Sequence, residues 1–187
     1  MGTVPFFRPS QTRINKGLSR LKINFDTILT IFSSCFIVGK CYDFFMLKIR
    51  LYPDPILREK CQEIKIIDQN IENLAKEMLE TMYKEDGVGL AAPQIGKAIR
   101  LIVLDIGKEP IALANPKIVK KRGISFLSEG CLSLPGKSVI VKRAAYVKVK
   151  GIDPWTKEKK EYIARGLLAH DFQHEIDHLN GILIIDY

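Results

Sequence analysis

The sequence predicts an α+β fold: mixed or antiparallel strands packed around a central helix near the C-terminal end, with one further helix on the N-terminal side. Three observations predict it. Two segments, residues 68–83 and 167–179, carry apolar residues at helical spacing. Short β-branched runs lie between them, bounded by Gly, Pro and charged residues. Strands gathered between two helices, rather than alternating with many, suggest α+β.

In chain order, the first helix spans residues 68–83. Ile71, Leu74, Ala75, Met78, Leu79 and Met82 form its apolar stripe, which reads as core, and Asp68 or Asn70 can cap its start. Residues 99–106 and 111–115 read as strands. Residues 138–151 read as a strand broken at Arg143-Ala144-Ala145, then alternating through Tyr146, Val147, Lys148, Val149 and Lys150. Residues 161–164 make another short strand. On the second helix, Leu168, Phe172, Ile176 and Leu179 share a core face. Leu167, His170, Asp171, His174 and His178 share another.

A length of 187 residues with 47% hydrophobic content suits one domain. The net charge is +8, but the lysines are dispersed and no nucleic-acid module is present, which argues against sequence-specific reading of DNA or RNA. Cys35, Cys41, Cys61 and Cys131 form no Cys-x-x-Cys pair and no disulfide framework, so a reducing compartment, the cytoplasm, is expected. Residues 1–45 stand apart. Arg8, Arg13, Lys16, Arg20 and Lys22 precede an apolar run over 28–38 that is too short to span a bilayer and is interrupted by Ser33-Ser34. We expect an extension outside the fold, with a domain over 46–187 and Met46-Leu47-Lys48-Ile49-Arg50 as its natural opening. A transit peptide directing the chain to an organelle, or a membrane anchor, are the other readings of this leader; stable membrane insertion is not expected.

The most informative stretch is His174-Glu175-Ile176-Asp177-His178. Two histidines four apart on a helix share a face and can hold one metal ion, and Glu175 beside them can act as base on water activated there. Satisfied core histidines are the plainer reading. A catalytic site of this kind needs a third protein ligand. Downstream only Asp186 is acidic, and although Gly181 is in place, Ile184 stands where a third His would follow it. The third ligand must come from upstream, where Cys131 in Glu129-Gly130-Cys131-Leu132-Ser133 is the best candidate, with a small buried hydrophobe as its alternative role. A third block, Gly87-Val88-Gly89-Leu90-Ala91-Ala92-Pro93-Gln94, lacks the pattern of a phosphate loop. Its glycines let backbone approach a ligand closely, and Gln94 offers an amide donor and acceptor.

Taken together the three blocks resemble the peptide deformylase family, whose motifs are a GxGxAAPQ loop, an EGCxS strand and a QHExDH helix. They occur here in order, at Gly87 to Gln94, Glu129 to Ser133 and Gln173 to His178, and Leu51-Tyr52-Pro53-Asp54-Pro55 is similar to the family's start. The resemblance covers about residues 46 to 187. It implies removal of the formyl group from N-formylmethionyl peptides, the nascent chains that would be the partners, by a monomer. It implies Cys131, His174 and His178 as ligands to one divalent metal ion. Iron(II) comes first, with zinc, nickel or cobalt(II) as alternatives. Glu175 would be the general base, and Gln94 and the Leu132 backbone N–H the donors to the formyl oxygen. Gly89 would bond the substrate backbone; Val88, Leu127 and Leu167 would line the methionine pocket, or else be core. Glu129 with Arg143 reads as an ion pair, and Asp177 as a supporting or surface acid. Two departures stand out: His170 and Asp171 occupy positions where the family usually has apolar residues. Asp171 lies one turn before Glu175, so two like charges would face each other. The chain lacks the C-terminal helix of many bacterial members, which leaves the ribosome an open partner. A zinc peptidase and a non-catalytic peptide-binding relative are the competing functions; the missing downstream ligand opposes the first, and the retained ligand set opposes the second.

Overall fold

The structure, a computed structural model, describes residues 47–187. The leader's apolar run, Cys35 and Cys41 lie outside the described residues. Helix α1 spans Gln69–Lys84, and the Asp68 side chain caps it by accepting from the backbone N–H groups of Asn70 and Ile71 at 3.0 and 3.1 Å. Seven strands follow: β1 (Gly89–Ala91), β2 (Leu101–Leu104), β3 (Ile111–Arg122), β4 (Ser125–Gly130), β5 (Ser138–Arg143), β6 (Tyr146–Ile152) and β7 (Lys159–Arg165). Helix α2 spans Gly166–His178.

The strands form a five-stranded sheet in the order β1-β2-β3-β6-β7 and a separate ribbon, β4-β5. Every pairing between these strands is antiparallel, so the expected mixed arrangement narrows; one isolated parallel bridge joins Gln62 to Ile99. The large sheet is covered on both faces, which explains why β2 is apolar at four consecutive positions. Leu101 and Val103 point to α1, joining Ala75, Met78, Leu79 and Met82. Ile102 and Leu104 point the other way, joining Val147, Val149, Phe172, Ile176 and Leu179 beside α2. The ribbon has its own small core of Leu57, Leu134, Val141, Leu183 and Ile184.

Helix α2 is buried from Ala169 to Ile176, on both its apolar and its polar faces. Four differences from the sequence reading have local causes. Strand β1 went unread because its three residues are Gly, Leu and Ala. Strand β3 runs to Arg122, well past Asn115. The register shifts between Ala114 and Lys117, and that irregularity admits Pro116 into the strand. Strand β4 stops at Gly130, so Cys131, Leu132 and Ser133 lie in the turn beyond it. His170, placed by the sequence on the polar face of the second helix, is only 1% exposed. Among the described residues, no helix is long and apolar enough to cross a membrane.

Candidate metal centre and active site

Three side chains from two elements converge. Cys131, in the turn after β4, has its Sγ 3.2 Å from His178 Nε2. His178 Nε2 lies 3.2 Å from His174 Nε2, one turn earlier on α2. The three donor atoms all lie within 4.8 Å of one another. Burial, and then the neighbouring His174, push His178 well below the usual histidine range, so its ring is neutral and offers a lone pair. Burial pushes the Cys131 thiol up to about 12. A thiolate here would therefore need a cation among the donors, which inverts that preference.

Glu129, the last but one residue of β4, supports the cluster from behind. Burial pushes its carboxyl up, but hydrogen bonds from His174 and Arg143 outweigh this and hold it at about 2. Arg143 on β5 donates Nε to Oε1 at 2.6 Å and Nη2 to Oε2 at 2.9 Å, a buried bidentate pair. Its Nη1 donates to Asp177 at 2.7 Å, and the Tyr187 hydroxyl donates to the same Asp177 oxygen at 2.8 Å. Asp177 is thus a supporting acid, held by Arg143 and Tyr187. Gln173 ties α2 to the β5–β6 turn, donating to Ala144 O at 3.0 Å and accepting from Ala144 N at 3.1 Å. Its part went unread, because a glutamine's partners across a turn leave no trace in spacing.

Glu175 faces the opposite wall. A Cβ built on Gly89 would lie 2.5 Å from Glu175 Oε1 and 2.7 Å from Asp171 Oδ1. Only glycine lets β1 approach these carboxyls so closely. Both carboxyls are buried, and Glu175 Oε2 and Asp171 Oδ2 have no hydrogen-bond partner. Burial, with Glu129 next, raises Asp171 to about 8. Burial, with Asp171 next, raises Glu175 well above the carboxylate range. The two carboxyls expected one turn apart are indeed juxtaposed, and their shared burial disfavours charging both.

Gln94 sits in the 3-10 turn Ala92–Ile95 directly after β1 and is buried. Its Oε1 accepts from Ala91 N at 2.8 Å, which turns its NH2 group toward Ser133 Oγ at 3.3 Å and Cys131 Sγ at 3.6 Å. The side chain therefore both braces its loop and aims a donor at the cluster. Leu132 is partly buried and packs on the α1 side of the core. Val88 is partly buried just before β1, while Leu127 and Leu167 are 36% and 40% exposed. None of these last three belongs to the buried core, which removes the plainer reading of them.

A buried cluster of two helical histidines and a cysteine from the turn after β4, with a starved carboxyl beside it in an α+β fold, defines a metal-dependent hydrolase. The particular family follows from comparison. Residues 46–187 match the family model described as polypeptide deformylase, and the chain belongs to that family. It is 47% identical over 141 residues to a peptide deformylase of Dictyoglomus turgidum, covering 75% of this chain and 92% of that protein. A peptide deformylase of Clostridium botulinum is 50% identical over 138 residues, covering 74% and 93%. Among solved structures, the peptide deformylase of Thermotoga maritima superposes with a TM-score of 0.73 at 43% identity, over 75% of this chain and 96% of that one. The reaction is hydrolysis of the formyl group from the N-terminal formyl-methionine of newly synthesised polypeptides.

Proposed function

We propose that Cys131, His174 and His178 hold one divalent metal ion, which makes α2 the central, metal-binding helix of the fold. The convergence of the three donor atoms carries this reading. Ligands sharing a four-coordinate zinc-sized ion, at bond lengths of 2.0–2.3 Å, sit roughly 3.3–3.6 Å apart. Two of the three spacings, from His178 to Cys131 and to His174, are 3.2 Å and fit that closely, and the third lies within 4.8 Å. We take iron(II) as the native ion on the family resemblance; zinc, nickel and cobalt(II) suit the same His2Cys set. The bound ion supplies Lewis acidity, which makes water acidic enough to furnish a nucleophile near neutral pH.

The chain's own residues do the rest. Glu175 takes the proton from the attacking water and later delivers it to the departing amine. The Gln94 NH2 group and the Leu132 backbone N–H donate to the formyl oxygen as negative charge grows there. Strand β1 is at the end of its sheet, and the Gly89 main chain pairs with the substrate backbone in the manner of an added strand. Val88, Leu127 and Leu167 take the methionine side chain. The enzyme works as a monomer in the cytoplasm, where the net charge of +8 favours company with the ribosome. Residues 1–45 stand outside this machinery, since every residue assigned a role lies within 46–187.

The deciding experiment measures metal content and deformylation of formyl-Met-Ala-Ser with iron, nickel or zinc loaded separately. About one ion per chain is expected, as one three-ligand site allows, and Cys131→Ala or His178→Ala should abolish both metal and turnover. Full metal content in both variants would refute the site.

A further inference from the structure

We propose that His170 is a positioning residue for the metal centre: it completes a four-donor clamp on Glu129 that fixes the ring of His174. The inference rests on the metal-centre reading above and concerns a residue with no part in it so far. Glu129 Oε1 receives Arg143 Nε at 2.6 Å and His170 Nδ1 at 2.8 Å. Oε2 receives Arg143 Nη2 at 2.9 Å and His174 Nδ1 at 3.0 Å. A carboxylate paired with a buried guanidinium only accepts, with about four lone-pair positions. All four are taken. Both imidazoles must then carry their hydrogen on Nδ1, which leaves the His174 Nε2 lone pair facing His178 and Cys131.

The two histidines lie four apart on α2, so the carboxylate is gripped across one full helical turn from one side and by Arg143 from the other. Turning it about its last bond breaks bonds to both imidazoles at once. Without His170, the helix holds only Oε2, and the carboxylate can pivot about that single contact, taking the His174 ring with it.

Stability does not account for His170. It is 1% exposed, and its Nε2 is buried without a hydrogen-bond partner. A buried polar atom left unpaired is unfavourable, and an apolar side chain of similar size would avoid it. The residue therefore trades stability for orientation.

The test uses the full-length protein and two variants. His170→Leu removes the donor and the orphaned nitrogen together. It should weaken metal affinity about 10- to 100-fold, the scale for an outer partner of a ligating histidine, and change the ligand-field spectrum of the cobalt(II)-loaded protein. The metal-free variant should melt no lower than the parent. His170→Asn returns an amide N–H near the Nδ1 position and should recover most of the affinity and the spectrum. Parental affinity and spectrum in His170→Leu would overturn the proposal. So would a lowered melting temperature with no recovery in His170→Asn, which would mark a packing role. Metal retained in full after Cys131→Ala is a different failure: it would remove the metal-centre reading, and this inference with it.

Discussion

Two carboxyl environments lie on the two flanks of α2, and they are opposites. Glu129 is buried with both oxygens fully supplied by an arginine and two histidines, and it stays ionised down to about pH 2. Glu175 and Asp171 are buried more deeply, each keeps an oxygen without a partner, and burial first of all pushes both upward. Satisfied, a buried carboxylate is a fixed structural charge; starved, it becomes a group that takes up and releases protons. The same side-chain chemistry thus serves as brace on one flank and, on the proposed reading, as base on the other.

The sharpest way to break this comparison is Glu175→Ala. Turnover should fall by at least about a hundredfold, the lower scale for a general base, while metal content holds. Its stability should not fall at neutral pH. A carboxyl whose pKa is raised by the fold opposes folding at every pH above its unfolded pKa, so its removal near pH 7 relieves the native state. Parental turnover, assayed on a formyl-Met peptide, would move the base elsewhere. Glu129→Gln should do the reverse. It strips Arg143 of its bidentate partner, and unpairing a buried ion pair costs on the order of 3 kcal/mol. Metal affinity should fall with stability, read by denaturant titration and metal competition. The parent should also lose stability on acidification, as pH falls below the ordinary carboxylate range toward about 2, because that is where Glu129 protonates. Glu129→Gln should flatten that loss.

A subtler sharpening is Asp171→Asn. Glu175 works only when ionised, so activity fails as pH falls through its pKa. Removing the neighbouring charge lowers that pKa, and the acidic limb of the pH–rate profile should move to lower pH. A superimposable profile would mean that burial alone sets Glu175. Smallest of all is deletion of residues 1–45. A chain beginning at Met46 should deformylate like the parent and melt within a few degrees of it, since no residue of either flank lies in that segment. An insoluble or inactive product would show that the leader is needed by the domain.

How much of this was legible depended on whether the signal was local. Both helices were readable, because an apolar stripe and a cap sit within one short segment. The meeting of Cys131, His174 and His178 was within reach through the motif blocks, and the Glu129–Arg143 ion pair was expected beside them. Strand β1 was not: Gly89-Leu90-Ala91 has no alternation, and it is a strand only because Leu104, Val103 and Ile102 lie opposite it. Nor was the far half of β3, where Pro116 stops any pattern-based reading while the register shift carries the chain past it. His170 and Asp171 were noticed as odd residues, but their meaning depends on partners that arrive from β4 and β1. A local window holds no information about such meetings.

The proposed ligands and their support come from distant stretches of chain, and this dictates an order of events. Cys131 and His178 are 47 positions apart, and Glu129 and His174 are 45 apart. Closing loops of that length is late and slow compared with forming α1 or the β4-β5 ribbon. On the proposed reading the metal centre is complete only after β4 and α2 have met, so tight coordination reports a chain whose long loops have already closed. In refolding followed by both circular dichroism and cobalt(II) colour, the colour should trail the backbone signal.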